Sequence, residues 1–411
     1  MTFEEYYAGA DAQALPERMW AVELFGQGRE HLKLVEYPVP QPGPGQLLLR
    51  SDAVGLCASD YKIVLQGETH SRLRGRDLSV EPVRLGHEVS LTVVAVGRGL
   101  EGNFAVGQRY AIQPDVVHQG EAMAYGYRLP GALCHYGLAG TEIIDGGYLL
   151  PLTDDLGYAQ VALTEPWACV LRAYHDHRDS RSVKPGGTAW YVGAGPLGLM
   201  HIEKGLADGA KHIIVSDLRA DRLAKVERTF AERARREGVT VTLFNPSERP
   251  AEQVITPRSV DDIIILAPVR EVAQEALTHL ADGGFLNVFA GFPGREDSDI
   301  TVSLYDMHYR NWTLLATSGS PIEALEEALE ACRSGRIDPN NVVAAVGGLR
   351  SAREGIDHLA TATFPGRIVI YPHLRIPLVA VEELTGGAPW SRAAERTLFE
   401  RLLAEGRLSR P

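Results

Sequence analysis

The sequence predicts an α/β protein of two domains, a β-rich domain and a doubly wound parallel sheet with helices on both faces. Three observations support this prediction. The chain has 411 residues, which is too many for one core of ordinary size. Short strand-like segments separated by prolines and glycines dominate its first part. From residue 188, strands and helices alternate, as expected for a parallel sheet.

The first part of the chain contains several short apolar or alternating segments. We predict strands at 19–25, 32–36, 46–50, 89–96 and 109–112, with four prolines between 38 and 44 breaking the chain. Residues 1–17 have no such pattern and are predicted to form a loose polar leader. The predicted β-rich domain covers 18–172 and takes up the chain again at 335–374, where 367–371 forms a closing strand.

The alternating part of the chain, 173–334, forms the predicted second domain. Strands are expected at 188–192, 212–217, 262–267 and 284–290, and helices at 196–208, 221–237, 271–281 and 321–334. Residues 375–411 are a C-terminal extension with a helix over 391–405. That helix carries Ala394, Leu398 and Leu402 on one face, which must be covered by its own subunit or by a partner.

Charge and cysteine content exclude several classes of partner and location. The net charge of −12 argues against nucleic acid or an anionic membrane, because phosphate binding needs a basic surface. The four cysteines show no paired spacing, which fits a reducing cytoplasm. We find neither the pattern of a signal peptide nor a run of about 18 apolar residues, so a cytoplasmic protein without a membrane span is expected.

A glycine-rich turn follows the strand at 188–192 and opens the next helix. Gly193 allows a tight turn, Gly195 lets the backbone approach a pyrophosphate, and Gly198 lets helix and strand pack closely. Pro196 and Leu197 complete the turn at the start of the helix, where free N–H groups favour an anion. A glycine turn that serves packing alone is the alternative, but the flanking strand and helix favour a dinucleotide site.

An acidic residue ends the following strand. Asp217 comes 19 residues after Gly198, where a carboxylate can hold the ribose hydroxyls of NAD and repel the 2′-phosphate of NADP. Arg219 and Arg222 are close enough in the sequence to weaken that preference. We therefore predict NAD as coenzyme, with NADP as the alternative.

Four residues in the first domain are of the types that a catalytic zinc uses. Cys57 follows a strand, His87 and Glu88 follow a glycine, and Glu165 stands before a proline. Thiolate, imidazole and carboxylate suit a four-coordinate zinc with one position open. Asp60 could accept the second ring N–H of His87. Singly, each residue has an ordinary structural interpretation, but together, upstream of a nucleotide-binding pattern, they predict a metal site.

These motifs resemble those of the zinc-containing medium-chain dehydrogenase/reductases. The resemblance rests on 55–60, 86–88, 107–109, Glu165-Pro166 and the glycine turn, and covers about 19–372. It implies a GroES-like catalytic domain, a Rossmann domain and an active site in the cleft between them. It also implies a homodimer or homotetramer.

Two departures from the family pattern matter. The family's structural zinc lobe uses four closely spaced cysteines, whereas the segment after Gly107 contains only Cys134. We therefore predict one catalytic zinc, no structural zinc, and a different loop over 113–147. Lys62 stands where many relatives have a proton-relay histidine, so it is either a substrate or relay residue or a solvated lysine.

Within the family, the stretches 107–113, 285–291, 305–309 and 317–319, together with the missing zinc lobe, resemble those of L-sorbose-1-phosphate reductase-like proteins. This similarity implies a polyol, sugar or sugar phosphate as substrate, with Lys62, Arg72, Arg74 or Arg76 as phosphate ligands, although a solvated loop is the alternative for the arginines. Zinc would lower the pKa of the substrate hydroxyl, Ser59 would pass its proton towards solvent, and the coenzyme would take the hydride. Glu88 could coordinate zinc directly or give way to water or substrate.

Two further functions stay open on the sequence alone. One is a threonine-like or simple alcohol dehydrogenase of the same fold. The other is a catalytically silent nucleotide-binding module, against which the presence of Cys57, His87 and Glu165 argues, because such a module has no chemical need for metal ligands.

Overall fold

The computed structural model describes residues 2–9, 15–152, 156–175, 182–292, 294–296 and 298–408. The chain divides into two units. The first comprises Met1–Glu165, Pro321–Arg333 and Asp338–Pro411, and the second comprises Pro166–Ser320 with Ser334–Ile337. The first is β-rich and the second contains a parallel sheet, so the predicted fold class is confirmed.

The first stretch of the chain contributes short strands and short helices. Its elements are α1 (Phe3–Tyr7), β1 (Arg18–Leu24), β2 (Leu32–Pro38), β3 (Leu47–Leu56), α2 (Ala58–Gln66), β4 (Val83–Arg84), β5 (Glu88–Val96), β6 (Arg109–Ile112), β7 (Val117–His118), β8 (Glu121–Ala122), β9 (Tyr136–Ala139), α3 (Thr141–Ile144), β10 (Leu149–Pro151), α4 (Tyr158–Ala162) and α5 (Thr164–Arg172).

The middle of the chain alternates strands and helices. Its elements are β11 (Thr188–Val192), α6 (Pro196–Ala207), β12 (His212–Ser216), α7 (Ala220–Glu237), β13 (Thr240–Phe244), α8 (Ala251–Val254), β14 (Val260–Ile265), α9 (Arg270–His279), β15 (Leu280–Val288), α10 (Leu304–Tyr309) and β16 (Thr313–Ala316). The six strands are parallel in the order β13-β12-β11-β14-β15-β16. This order reverses at β11, which is typical of a dinucleotide-binding Rossmann sheet.

The last stretch returns to the first unit. It contains α11 (Ile322–Arg333), β17 (Val343–Gly348), α12 (Ala352–Thr361), β18 (Arg367–Tyr371), β19 (Val379–Ala380), α13 (Val381–Thr385) and α14 (Arg392–Ala404). β17 and β18 join the large sheet of the first unit, whose order is β10-β6-β5-β3-β18-β17-β19 with β9 also paired to β3. β18 therefore lies beside β3 although the two are far apart in sequence.

The antiparallel pair β3 and β5 places the candidate site. Its register ends with Gly55 opposite Glu88. The end of β3 and the start of β5 therefore lie together, and Cys57 and His87 flank that register pair. β3 is buried along its whole length, which fixes this end of the sheet in the core of the unit.

The prediction of a loose leader is wrong for Phe3–Tyr7, which form α1, whereas 15–17 belong to neither a helix nor a strand. Thr2 and Glu5 form a capping box at the start of α1. Phe3 and Tyr6 of this helix are buried. A five-residue helix is too short to form alone, so it depends on tertiary packing that no local pattern could reveal. Residues 10–14 of the leader lie outside the described residues.

The predicted helix of the C-terminal extension is present as α14, and its apolar face is covered within its own unit. The ring of Phe399 contacts the rings of Phe3, Tyr6 and Tyr158.

Two strands of the parallel sheet, β13 and β16, were not predicted. Among the helices that the structure describes, none is long and apolar enough to cross a bilayer.

Candidate active site

Three of the predicted metal ligands come together where β3 and β5 end. Cys57 is the residue before α2, His87 precedes β5, and Glu88 begins β5. One ligand atom from each lies within 4.8 Å of the others. His87 and Glu88 are buried and Cys57 is half-buried. In the ranges given above, this is the one group of three or more such side chains gathered closely enough for a metal.

The residues fit a zinc ion. His87 Nδ1 and both carboxylate oxygens of Glu88 are buried and make no hydrogen bond to any described residue. Unsatisfied buried polar atoms cost free energy unless a ligand or water satisfies them. The donor set of thiolate, imidazole and carboxylate is one that catalytic zinc uses.

Two glycines leave room for these ligands. A Cβ atom on Gly55 would lie 2.3 Å from Glu88 Oε2, so only glycine permits the carboxylate to occupy its position. Gly86 has a φ of 93°, a left-handed conformation that places His87 at the start of the strand. Both glycines belong to motifs that are visible in the sequence, but only the structure shows what each of them contacts.

Asp60 holds the two ligand-bearing segments together. Its carboxylate accepts hydrogen bonds from the backbone N–H of Cys57 at 2.9 Å and from that of Gly86 at 3.2 Å. Asp60 Oδ1 lies 3.6 Å from His87 Nδ1, which is an ion-pair distance and longer than the predicted hydrogen bond. The role that the geometry supports is therefore to fix the backbone at both ligands.

Arg367 is a site residue that the sequence analysis missed. Its Nη2 lies 3.0 Å from Glu88 Oε1, as an ion pair without hydrogen-bond angles, and its Nη1 donates to the Leu56 carbonyl at 3.2 Å. The available signal was an arginine at the start of the otherwise apolar strand β18. Because β18 pairs with β3 only through long-range topology, the sequence could not say what the arginine would face.

These charges shift the protonation of the ligand group. Burial opposes ionisation of the Cys57 thiol, but the positive charges of Arg367 and His87 outweigh it and lower its pKa to about 6. Burial raises the pKa of the Glu88 carboxyl to about 8, against the opposing charge of Arg367. Burial would lower the pKa of His87, but Asp60 raises it well above the ordinary value. A thiolate near neutral pH is what a metal ligand requires.

Glu165 lies apart from this close group. It stands in the first turn of α5, half-buried, and its ligand atom is not among those within 4.8 Å of one another. Burial raises the pKa of its carboxyl to about 7, while the charge of His87 acts in the opposite direction. Glu165 therefore feels the charge of the site, and its place as a zinc ligand stays a prediction.

A tyrosine from the 113–147 segment covers the site. The ring of Tyr127 lies 5.7 Å from that of His87 and 5.7 Å from that of His70. Burial raises the pKa of the Tyr127 phenol, and a hydrogen bond with the Ser59 side chain acts in the opposite direction. Ser59, the predicted proton-transfer residue, therefore has a buried phenol as its neighbour. The only indication of Tyr127 in the sequence was that the 113–147 segment lacks the four cysteines of the family pattern.

The basic residues considered for a phosphate have different surroundings. Lys62 is exposed on α2, and its charge helps to lower the pKa of His70, after burial. Arg72 pairs with Asp115 at 2.9 Å. Arg74 is exposed. Arg76 donates hydrogen bonds to four backbone carbonyls, those of Glu81, Pro82, Tyr127 and Arg128. Its guanidinium therefore has a structural role, and its predicted contact with a phosphate stays a prediction.

The second unit contains the predicted glycine turn in the expected context. Gly193 follows β11 with a φ of 122°, and Gly195 is the residue before α6, with Pro196 in its first turn. A Cβ atom on Gly198 would lie 2.1 Å from the Gly193 carbonyl oxygen, so helix and turn approach closely. Residues 195–197 are half-buried, and the nearest atom to a Cβ on Gly195 is 3.8 Å away. This turn therefore has the glycine geometry and the open helix N-terminus that suit a pyrophosphate.

Asp217 and Arg222 lie beside this turn as an ion pair. Asp217 Oδ2 accepts the Ala194 N–H at 2.8 Å and lies 3.3 Å from Arg222 Nη1. Arg222 Nε is buried and makes no hydrogen bond to any residue that the structure describes. Next to the glycine turn, Asp217 therefore supplies a hydrogen-bond acceptor and Arg222 a hydrogen-bond donor.

Comparison with known proteins supports the family resemblance. Residues 43–170 match the family described as the alcohol dehydrogenase GroES-like domain. The chain is 28% identical to mannitol-1-phosphate 5-dehydrogenase of Aliivibrio fischeri (strain ATCC 700601 / ES114), over 91% of this chain and 96% of that protein. It is 26% identical to L-sorbose 1-phosphate reductase of Klebsiella pneumoniae, over 89% and 90% respectively.

The fold also matches a solved structure. It is that of a protein described as a zinc-binding dehydrogenase from Sinorhizobium meliloti 1021, solved with NADP bound. The TM-score is 0.71 at 22% identity, and the match covers 87% of this chain and 100% of that one. The solved structure shows a shared fold. Together, the GroES-like match, the two polyol-phosphate and sugar-phosphate relatives and the metal-ligand group support a place for this chain in the zinc-containing medium-chain dehydrogenase/reductase family.

Proposed function

We propose that this protein is an NAD(P)-dependent dehydrogenase that interconverts a secondary alcohol and a ketone on a polyol, a sugar or a sugar phosphate. The observation that carries the proposal is the group Cys57, His87 and Glu88, in which His87 Nδ1 and both carboxylate oxygens of Glu88 are buried without a hydrogen bond to any described residue. A nucleotide-binding module without catalysis has no need for such a group, so this observation disfavours the silent alternative.

Zinc is the metal that the group fits. Cys57 and His87 would hold it, with Glu88 or Glu165 completing the set. A bound zinc ion would act as a Lewis acid that lowers the pKa of the substrate hydroxyl. Asp60 and Gly86 keep the two ligand segments in place, and Arg367 balances the negative charge of Glu88.

Ser59 and Tyr127 are the residues we assign to proton transfer. Ser59 is half-buried two residues after Cys57, and its hydroxyl can receive the proton of the substrate hydroxyl. Tyr127 can accept a hydrogen bond from Ser59 or donate one to it, so it can keep the serine oxygen oriented as the proton leaves.

A phosphorylated substrate is the finer part of the proposal. The two relatives named for phosphate esters align with this chain over 90% or more of their own lengths. In this chain, Lys62 and Arg74 are exposed, and Arg72 lies over the Tyr127 ring at 4.8 Å. Lys62 and Arg72 both bring positive charge near His70, although Asp115 balances part of the Arg72 charge, and a phosphate monoester would match the charge that remains.

NAD is the coenzyme we propose, with NADP as the alternative. Asp217 next to the glycine turn can accept hydrogen bonds from the ribose hydroxyls and repels a 2′-phosphate. Arg222 reduces that repulsion, and its buried Nε could serve a phosphate oxygen. The ratio of kcat/KM for NAD and NADP in wild type and in Asp217→Ser would decide this point, and we expect the variant to lose preference for NAD.

We also propose a homodimer or homotetramer that works in the cytoplasm without nucleic-acid or membrane partners. The four cysteines are free in the structure, which suits a reducing compartment. The net charge of −12 disfavours binding to phosphate backbones or anionic lipid surfaces. Sedimentation of the purified protein would measure the number of chains.

A substrate panel tests the proposal. Coenzyme reduction should be measured with matched pairs of free and phosphorylated polyols, with threonine and with simple secondary alcohols, using Cys57→Ser as the control for background turnover. We expect turnover with polyols, and a higher kcat/KM for the phosphate ester of a matched pair. Equal kcat/KM for both members would overturn the phosphate part. Turnover with threonine or simple alcohols alone would overturn the polyol part.

A further inference from the structure

A cavity in the first unit is lined by none of the residues of the metal-ligand group. Its volume is about 430 Å³, within the range of sites for small organic ligands. Its lining combines apolar and basic side chains and contains no acidic one. The lining residues are Arg18, Trp20, His135, Leu349, Arg350, Pro372, Leu374, Arg375 and Ile376. No role in the proposed reaction falls to any of them.

The charge of this cavity is positive. Arg18 is balanced by Glu36, whose carboxylate lies 2.9 Å away. Arg350 and Arg375 have no carboxylate within ion-pair distance among the described residues. Arg350 instead lies over the ring of Trp20, 4.9 Å from its centre, which leaves its N–H groups for an anion. In a chain with a net charge of −12, two uncompensated arginines at one cavity are a local exception.

The positive charges of Arg350 and Arg375 also act on a buried histidine of the cavity lining. His135 is only 7% exposed, and its ring stacks on that of His373 at 4.7 Å. Burial lowers the pKa of His135 well below the ordinary value, and the charges of His373, Arg375 and Arg350 add to this effect. The cavity therefore disfavours a further positive charge and favours a negative one.

The walls are fixed by backbone hydrogen bonds. The Gly348 N–H and the Ser351 hydroxyl both donate to the Ile376 carbonyl, at 3.1 and 3.2 Å, which joins the two wall segments. The backbone N–H of Arg375 donates to the Arg407 carbonyl at 2.9 Å. The C-terminal extension, to which the sequence analysis gave no function, therefore supports one wall.

We propose that this cavity binds an organic anion that combines a phosphate or carboxylate group with an apolar or aromatic body. Arg350 and Arg375 hold the charged group, which matches the donors of a guanidinium. The apolar body lies against Trp20, Leu349 and Leu374. The site is separate from the metal-ligand group, and the proposal does not depend on the substrate of the enzyme.

Calorimetric titration of the zinc-loaded full chain with phenyl phosphate tests this proposal. Phenol and inorganic phosphate serve as the two half-probes. We expect one phenyl phosphate per chain at this site, with affinity at least tenfold higher than that of either half-probe. The double variant Arg350→Gln, Arg375→Gln should weaken binding at least tenfold, because both guanidiniums are lost.

A matched control separates the cavity from general charge. Arg353→Gln changes an exposed arginine on the neighbouring helix α12 that does not line the cavity, and it should bind phenyl phosphate as wild type does. No binding, or binding that the double variant leaves unchanged, would overturn the proposal. Inorganic phosphate binding as tightly as phenyl phosphate would overturn the part that requires an apolar body.

Discussion

At the scale of single residues, the candidate active site depends on neighbours that are not ligands. Asp60 ties the backbone of Cys57 to that of Gly86, and Arg367 faces Glu88. The four predicted ligand residues could be recognised in the sequence because each stands within two residues of a glycine or a proline. Arg367 could not be read in this way, since its contact depends on the pairing of β18 with β3.

The first prediction concerns Gly55. In Gly55→Ala, the new methyl group would meet Glu88 Oε2 at 2.3 Å and Leu163 Cδ2 at 3.0 Å, so the carboxylate must move. We expect zinc affinity, measured by competition with a chromogenic chelator, to fall by about tenfold or more, as for other changes around a metal ligand. Gly102→Ala is the control, because a Cβ there meets no atom within 4 Å. Wild-type zinc affinity in Gly55→Ala would contradict the assignment of Glu88.

The second prediction concerns Tyr127. Tyr127→Phe removes the hydroxyl beside Ser59 and keeps the ring against His87. We expect kcat to fall by about tenfold, less than the roughly hundredfold or more of a direct general acid or base, because Tyr127 acts through Ser59, and we expect zinc content to stay unchanged. Tyr110→Phe, in β6 and outside the site, is the matched control. Unchanged kcat in Tyr127→Phe, or loss of zinc, would show that the phenol serves another purpose.

At the scale of elements, the two ends of the chain stabilise each other. Helices α1 and α14 pack through Phe3, Tyr6 and Phe399. The buried Glu395 of α14 accepts the backbone N–H groups of Tyr158 at 2.7 Å and Ala159 at 2.8 Å, at the start of α4. The apolar stripe of α14 could be predicted from helical spacing. Its partner could not, because the stripe does not indicate which surface covers it.

The third prediction follows from these hydrogen bonds. Glu395→Ala leaves two N–H groups of α4 and the Tyr371 hydroxyl without their acceptor. We expect the free energy of unfolding in urea to fall by about 2 kcal/mol, as for a lost helix cap with buried donors left unpaired. Glu400→Ala on the same helix, where the carboxylate is exposed, should leave the midpoint unchanged. Equal midpoints for Glu395→Ala and wild type would contradict the capping role.

At the scale of the whole molecule, the alternation of strands and helices after residue 187 predicted the parallel sheet. It missed β13 and β16, two flanking strands of the sheet. β13 is only partly buried, so its sequence lacks the continuous apolar run of a central strand. The return of the chain to the first domain was predicted from the sequence at 335–374, with a closing strand at 367–371, but the pairing of that strand with β3 required the structure.

The fourth prediction is that acid destabilises the fold through buried histidines. Burial lowers the pKa of His201 to about 3 and that of His373 to about 3. As the pH falls below about 6.5, the unfolded chain takes up these protons and the folded chain does not. Stability from these residues is therefore present above pH 6.5 and is lost as the pH falls from 6.5 towards 3.

Urea unfolding at several pH values checks this prediction. Each such histidine contributes at most about 1.4 kcal/mol per pH unit to the slope. His373→Gln should therefore lose less stability than wild type between pH 6.5 and pH 5, and the exposed His308→Gln should behave as wild type. The same slope in all three proteins would mean that His373 is not held neutral by the fold.

The central claim is that Cys57, His87 and Glu88 bind a zinc ion on which polyol oxidation depends. Its most direct test is to remove metal from the purified protein, titrate zinc back, and record coenzyme reduction with a polyol phosphate at each addition. We expect activity to rise linearly and to level off at one zinc per chain, and Cys57→Ser to stay inactive with its fold intact by circular dichroism. Full activity in the metal-free protein, or in Cys57→Ser, would contradict the account.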